Sequence, residues 1–188
     1  MSWESDGREV FVSVDVEASG QSPAVGSLLS IGACLVDRVK EGVYIELRPL
    51  ADRGWSDGAE LVHGLTRERL EQEGLDPAEA MARLEAWLSE VCAGGRPVFV
   101  GFNAPFDWMF VADYFWRYLG RNPFGVSALD LKSYYMAAEL VPRWDLTRRT
   151  HIDERLGLKP DHSHHALEDA QGQALLARIL LGRNVGSG

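Results

Sequence analysis

Asp15 and Glu17 lie one residue apart at the end of an apolar run, Val10-Phe11-Val12-Ser13-Val14. If that run is a strand, alternate side chains share a face and the two carboxylates project side by side. Paired carboxylates on a core strand repel unless a cation sits between them, and hard divalent cations bound through oxygen are the usual solution. Two more acids extend the set. Asp107 stands in GFNAPFDWMF, among Phe106, Trp108, Met109 and Phe110. A helix-start acid there could simply complement the dipole; Asn103 is the better placed cap, so a ligand role is expected for Asp107. Asp169 lies in HSHHALEDAQGQALL, and His164 precedes it by one turn or so. Histidine titrates near neutrality and suits a general base. His162, His164 and His165 together make a transition-metal site a rival reading. No cysteine is nearby and the other candidates are carboxylates, which favours Mg²⁺ or Mn²⁺.

The elements that must position these residues follow from hydrophobic period and turn chemistry. Strands are expected at about Glu9–Glu17, Leu28–Asp37 and Val43–Pro49, with turns at Gly20–Gly26 and Glu41-Gly42. A short helix starts near Thr66. Asp76-Pro77-Ala78-Glu79 is a strong helix start, followed by Ala80, Met81, Leu84, Trp87, Leu88 and Val91 at helical spacing, with Gly94-Gly95 as its end. Arg96–Phe102 reads as a fourth strand, Pro105–Leu119 as a buried helix, Val126–Leu131 as a fifth strand, Leu131–Leu140 as a helix and His165–Leu181 as the last helix. The order is βββ–α–β–α–β–α. It predicts an α/β fold: a five-stranded mixed sheet, antiparallel at the start and then parallel, flanked by helices.

Bulk composition frames these residues. A chain of 188 residues with 46% hydrophobic and 25% charged content is sized for a single domain over 1–188, with its core at about 9–182 and a frayed tail at 183–188. No apolar run approaches the ~20 residues of a membrane span, and the N-terminus lacks a signal-peptide pattern, so a cytoplasmic protein with no membrane partner is expected. Cys34 and Cys92 sit among apolar neighbours and read as free buried thiols. A net charge of −9 argues against a general nucleic-acid binder, though not against an enzyme that holds a few nucleotides through bound cations. Arg143, Arg148, Arg149 and Lys159 could form a local basic patch, or a solvated face.

The ordered combination resembles the DEDDh, or DnaQ-like, 3′–5′ exonucleases on the ribonuclease H-like fold. Asp15-Val16-Glu17, Asn103–Asp107 and His164–Asp169 match that family's three motifs, and the likeness runs from about Phe11 to Leu181. Leu61–Thr66 resembles its HGxT segment; Arg121–Phe124 with Ala128–Asp130 is a looser match to the ribonuclease T branch. Where the family commonly continues its first motif with Thr-Thr-Gly, this chain has Ala18-Ser19-Gly20.

The resemblance implies a two-metal phosphodiesterase releasing nucleoside 5′-monophosphates from the 3′ ends of single-stranded DNA or RNA. It implies that Asp15 bridges both ions, that Glu17 and Asp169 hold the ion carrying the attacking water, that Asp107 supports the second ion, and that His164 takes the proton. Backbone at Ala18, Ser19 and Gly20 would face the terminal sugar, Asn103 would contact substrate, and Leu65, Phe102 and Phe106 would lie against bases; core packing is the stronger expectation for Phe106. His63 would touch substrate or cap the following helix, and Asp130 would support the turn. Two alternatives keep the fold: a non-catalytic module that binds a partner, and a ribonuclease H-type endonuclease. A homodimer, or a polymerase or repair partner, stays open.

Overall fold

The computed structural model describes residues 7–158 and 163–182. Five strands form one sheet: β1 (Glu9–Ala18), β2 (Leu28–Leu35), β3 (Gly42–Glu46), β4 (Arg96–Gly101) and β5 (Ala128–Asp130), in the order β3-β2-β1-β4-β5. β1–β2 and β2–β3 are antiparallel, while β1–β4 and β4–β5 are parallel. This is the mixed sheet expected from the order of elements. The helices are α1 (Asp57–His63), α2 (Arg67–Glu73), α3 (Pro77–Cys92), α4 (Pro105–Leu119), α5 (Leu131–Ala138), α6 (Arg149–Leu156) and α7 (Ala166–Leu180).

Strand alternation divides the core. Val12, Val14 and Val16 pack with Met81, Leu84 and Leu88 of α3 and with Phe110 and Val111 of α4. On the other face lie α5, α6 and α7, through Tyr135, Ile152, Ala170, Ala174 and Ala177. Small residues let α7 approach the sheet closely. The Ser13 hydroxyl donates to the Ala170 carbonyl at 2.8 Å. Gly32 matters most: a Cβ there would sit 2.1 Å from the backbone of Ala166 and Leu167.

Local chemistry sets several helix starts. Asp76 accepts from Ala78 N at 2.9 Å ahead of Pro77. Thr66 accepts from Arg69 N, and Asp130 from Lys132 N and Ser133 N. Several boundaries differ from expectation. β2 stops at Leu35 and β3 at Glu46, β5 is three residues long, and α5 ends before Leu140, whose φ is +50°. Helices α1 and α6 and a 3-10 turn at Trp144–Thr147 lie where the sequence predicts no element. Asn103 is not the side-chain cap of α4. Ala104 occupies that position without a side-chain cap, and Asn103 adopts φ +63° with its carbonyl accepting from Phe106 N. Asparagine tolerates that left-handed turn better than most residues. Both cysteines are buried and free. No helix among the described residues is long and apolar enough to cross a membrane.

Candidate active site

Each acid reaches the site through a specific feature of the sheet. Asp15 and Glu17 share the face of β1 that looks toward α7. Asp15 stands opposite Gly32 in the β1–β2 ladder, so the missing side chain lets the start of α7 settle beside the carboxylate. The ladder between β1 and β4 ends at Ser13–Val100, which leaves later β1 amides on that edge without strand partners. One of them, Val16 N, donates instead to Asp107 Oδ1 at 3.1 Å. Asp107 is therefore pinned against β1 from the first turn of α4, with 4% of its surface exposed. From α7, Gln173 links β1 to the turn just after β4: its Nε2 donates to Asp15 Oδ1 at 2.5 Å, and its Oε1 accepts from Phe102 N at 3.0 Å.

His164 precedes α7 in a left-handed conformation, φ +54°, which is uncommon for a non-glycine residue. Neighbours hold that turn. Ser163 N donates to Asp169 Oδ1 at 3.3 Å, and the His165 ring stacks on Tyr44 with centroids 4.2 Å apart. His165 is thus committed to β3. Of the three histidines behind the rival transition-metal reading, His164 reaches the site, His165 does not, and His162, like Lys159, lies outside the described residues.

The result is a cavity of about 260 Å³ lined by Asp15, Val16, Glu17, Phe102, Asn103, Phe106, Asp107, Arg149, His164, Asp169 and Gln173. All four acids and the histidine meet there. Ligand atoms of Glu17, His164 and Asp169 lie within 4.8 Å of one another. Burial and crowding make Asp15, Glu17 and Asp107 reluctant to ionise. Burial, then the charges of Asp107, Glu17 and Asp169, push Asp15 well above the usual carboxylate range, against the opposing Gln173 hydrogen bond. Burial, and then the charge of Asp169, raises Glu17 to about 7. Asp107 is raised to about 8, chiefly by burial, although the Val16 amide pulls it down. A set of oxygen donors that resists ionisation alone, with Asp15 and Asp107 each using only one oxygen in these hydrogen bonds, fits hard divalent cations.

A second cavity, of about 180 Å³, adjoins the first through Glu17 and Phe106 and is otherwise lined by Ala18, Gly20, Gln21, Ser56, Val62 and His63. His63 Nδ1 accepts from Leu65 N at 3.0 Å, which leaves the proton on Nε2, buried without a partner among the described residues. Burial lowers the His63 pKa, and His164 adds to that effect against Glu60. It does not cap α2, since Thr66 does. Two expected substrate contacts turn inward. The Ser19 hydroxyl donates to Gly54 O and accepts from Ser27 N, both at 2.8 Å, and its backbone is also bonded. Leu65 is buried with Leu29 and Leu70. Phe106 packs against the core as expected, its ring centroid 5.3 Å from that of Phe110, and it also lines both cavities. Asp130 accepts from Ala104 N at 3.1 Å and supports the turn below the site.

Sequence reasoning missed Gln173 and Gly32, and it left Arg149 between a basic patch and a solvated face. Of the residues that could form a basic patch or a solvated face, Arg143 pairs with Asp145 in solvent and Arg148 is exposed, as a solvated face requires, while Arg149 lines the cavity.

With known proteins the chain shows the following similarities. Residues 12–176 match the RNase_T family model, described as exonuclease. The 3′–5′ DNA exonuclease Cap18 of Escherichia coli is 42% identical over 174 residues, covering 92% of each chain. The nuclease domain of 3′hExo, a DEDDh family member bound to rAMP, superposes with TM-score 0.76 at 15% identity over 96% of both chains. A 3′-exonuclease that recognises the 3′ end of a histone mRNA stem-loop gives 0.75 at 17%, covering 96% of this chain and 84% of that one. E. coli exonuclease I, zinc-bound with single-stranded DNA, gives 0.75 at 20%; this chain matches over 94% of its own length but spans only 41% of that protein. These likenesses establish the ribonuclease H-like exonuclease fold.

Proposed function

The chain belongs to the RNase_T exonuclease family, a 3′–5′ exonuclease by its kinship, and from that premise we propose that it releases nucleoside 5′-monophosphates from the 3′ ends of single-stranded DNA. One observation carries the reading: Asp15, Glu17, Asp107, Asp169 and His164 converge on one cavity from three separate segments. DNA is favoured over RNA because the relative at 42% identity is named a DNA exonuclease. Two buried free thiols suit a reducing, cytoplasmic setting.

The family works with divalent metal ions, and for this chain we take two, Mg²⁺ or Mn²⁺, held by Asp15, Glu17, Asp107 and Asp169. When bound, such ions shield phosphate charge and lower the pKa of water. The chain's own residues do the rest. Gln173 orients Asp15, and the Val16 amide orients Asp107, so these acids are fixed before substrate arrives. Asp169 sits one helical turn from His164, tied to the same loop through Ser163 N. His164, exposed beside Glu17 and Asp169, takes the proton from the attacking water. Phe106 walls both cavities, so a terminal nucleoside can occupy the second while its 5′ phosphate lies among the acids.

The test incubates matched DNA and RNA oligonucleotides with Mg²⁺ or Mn²⁺, with Asp15→Ala protein and EDTA as controls. Mononucleotide release from linear DNA, with circular single strands left intact, is expected. Equal release by Asp15→Ala protein, or cutting of circles, sinks the proposal.

A further inference from the structure

One permanent cation stands inside the acidic cavity. Arg149 begins α6, and its side chain is 10% exposed. Three contacts fix its plane. Nε donates to Asp153 Oδ1 at 2.7 Å, Nη2 donates to the Gly172 carbonyl at 3.2 Å, and the guanidinium carbon lies 5.8 Å from the centroid of Phe102. A guanidinium has five N–H donors. No acceptor for Nη1 is found among the described residues, and Arg149 pairs with none of the four cavity acids.

Docking α6 on α7 does not by itself require this arrangement. Asp153 is fully buried, and a buried ion pair costs desolvation that two apolar side chains at the same spacing avoid. What an apolar pair cannot supply is a rigid, pre-aimed donor at the edge of a phosphate-sized anionic substrate. Guanidinium forks match phosphate oxygens in shape and charge. Among the described residues lining this cavity, Arg149 alone is always cationic. It lines only the part that the second cavity does not share.

We infer that Arg149 is a phosphate-binding residue: Nη1 donates to a non-bridging phosphate oxygen of the bound strand, while Asp153, Gly172 and Phe102 hold the fork in place. This rests on the exonuclease reading above.

The test separates a phosphate contact from a packing role. Binding of a fluorescein-labelled oligothymidylate in Ca²⁺ is followed by anisotropy across a KCl series, and cleavage in Mg²⁺ is measured alongside. The variants are Arg149→Lys and two neutral pairs, Arg149→Leu with Asp153→Leu and Arg149→Gln with Asp153→Asn, so that no buried carboxylate is left alone. In whichever neutral pair melts as the wild type does, affinity is expected to fall about tenfold or more, the loss typical of a charge-assisted hydrogen bond. The slope of log affinity against log salt should flatten by about 0.7, the share of one single-strand phosphate contact. Arg149→Lys should keep the wild-type slope with intermediate affinity. A wild-type slope and affinity in a folded neutral pair overturn the inference. Strand binding without cleavage by the wild type would overturn the exonuclease reading instead, and the slopes would still decide the role of Arg149.

Discussion

At the scale of single residues, the site is a collection of groups each held in a state it would not choose alone. Asp107 is the clearest case: nearly sealed from solvent, raised to about 8, and restrained by one amide. Asp107→Asn keeps the oxygen that accepts from Val16 N and removes the charge that burial opposes. The metal-free variant should therefore be more stable than wild type at pH 8, by about 1–3 kcal/mol in urea melts, because an unpaired buried charge is costly. The same variant should lose nucleotide release, and a retained rate would remove Asp107 from the chemistry. His164→Ala tests a different quantity. Loss of a general base should lower kcat by about 10²–10⁴ with KM little changed, measured by steady-state release from a labelled oligonucleotide. A rise in KM alone would make His164 a binding residue.

At the scale of elements, α7 is the part whose placement decides activity, because it carries Asp169 and Gln173 and is entered through His164. Its seat is the bare backbone of Gly32. Gly32→Ala would put a methyl 2.1 Å from the backbone at Ala166 and Leu167, so α7 has to lift. A melting temperature clearly below wild type, with a cost of about 1–3 kcal/mol or more, is expected together with a fall in kcat. Gly58→Ala is the control: a methyl there would sit 3.7 Å from the Ser56 hydroxyl, in ordinary contact, so it should melt no lower than wild type. Wild-type activity in Gly32→Ala protein would show that α7 does not need this seat. The same elements explain what could be read from the chain beforehand. β1, α3, α4 and α7 were legible because apolar period and start signals agreed. Helix α1 was not, since Leu61 and Val62 point to solvent and leave no apolar face. Helix α6 was hidden because its hold on the core comes from Ile152 and from the Arg149–Asp153 pair, which reads as a solvated stretch. The four acids and His164 were legible because their spacing within each motif is local. Gly32, Gln173 and Arg149 gain their roles only from neighbours far away in the chain, and no local pattern marks them. Asn103 misled for a related reason: its residue type suits a helix cap and a left-handed turn equally, and only the path from β4 to Pro105 decides between them.

At the scale of the whole molecule, the clustered acids make folding, pH and metal binding one equilibrium. Glu17 rises from 4.5 to about 7, Asp107 from 3.8 to about 8, and Asp15 moves the same way. Between roughly pH 4 and pH 8 the folded protein therefore binds more protons at these groups than the unfolded chain does. The sign follows from linkage: where the native state holds the extra protons, stability falls as pH rises. These three groups penalise folding little below pH 4 and increasingly as each must ionise in place. Cations reverse the balance, since they bind the deprotonated native cluster and have no such site in the unfolded chain. In EDTA, the melting temperature should drop between pH 5 and pH 8, and Mn²⁺ should raise it far more at pH 8 than at pH 5. A protein of net charge −9 has other carboxylates whose repulsion also grows with pH, so the comparison needs Asp107→Asn and Asp15→Asn as references. Each should show a shallower drop in EDTA and a smaller Mn²⁺ shift. If wild type and both variants melted alike at every pH, with and without Mn²⁺, the cluster would not be the seat of the coupling, and the divalent-ion reading of the cavity would fall with it.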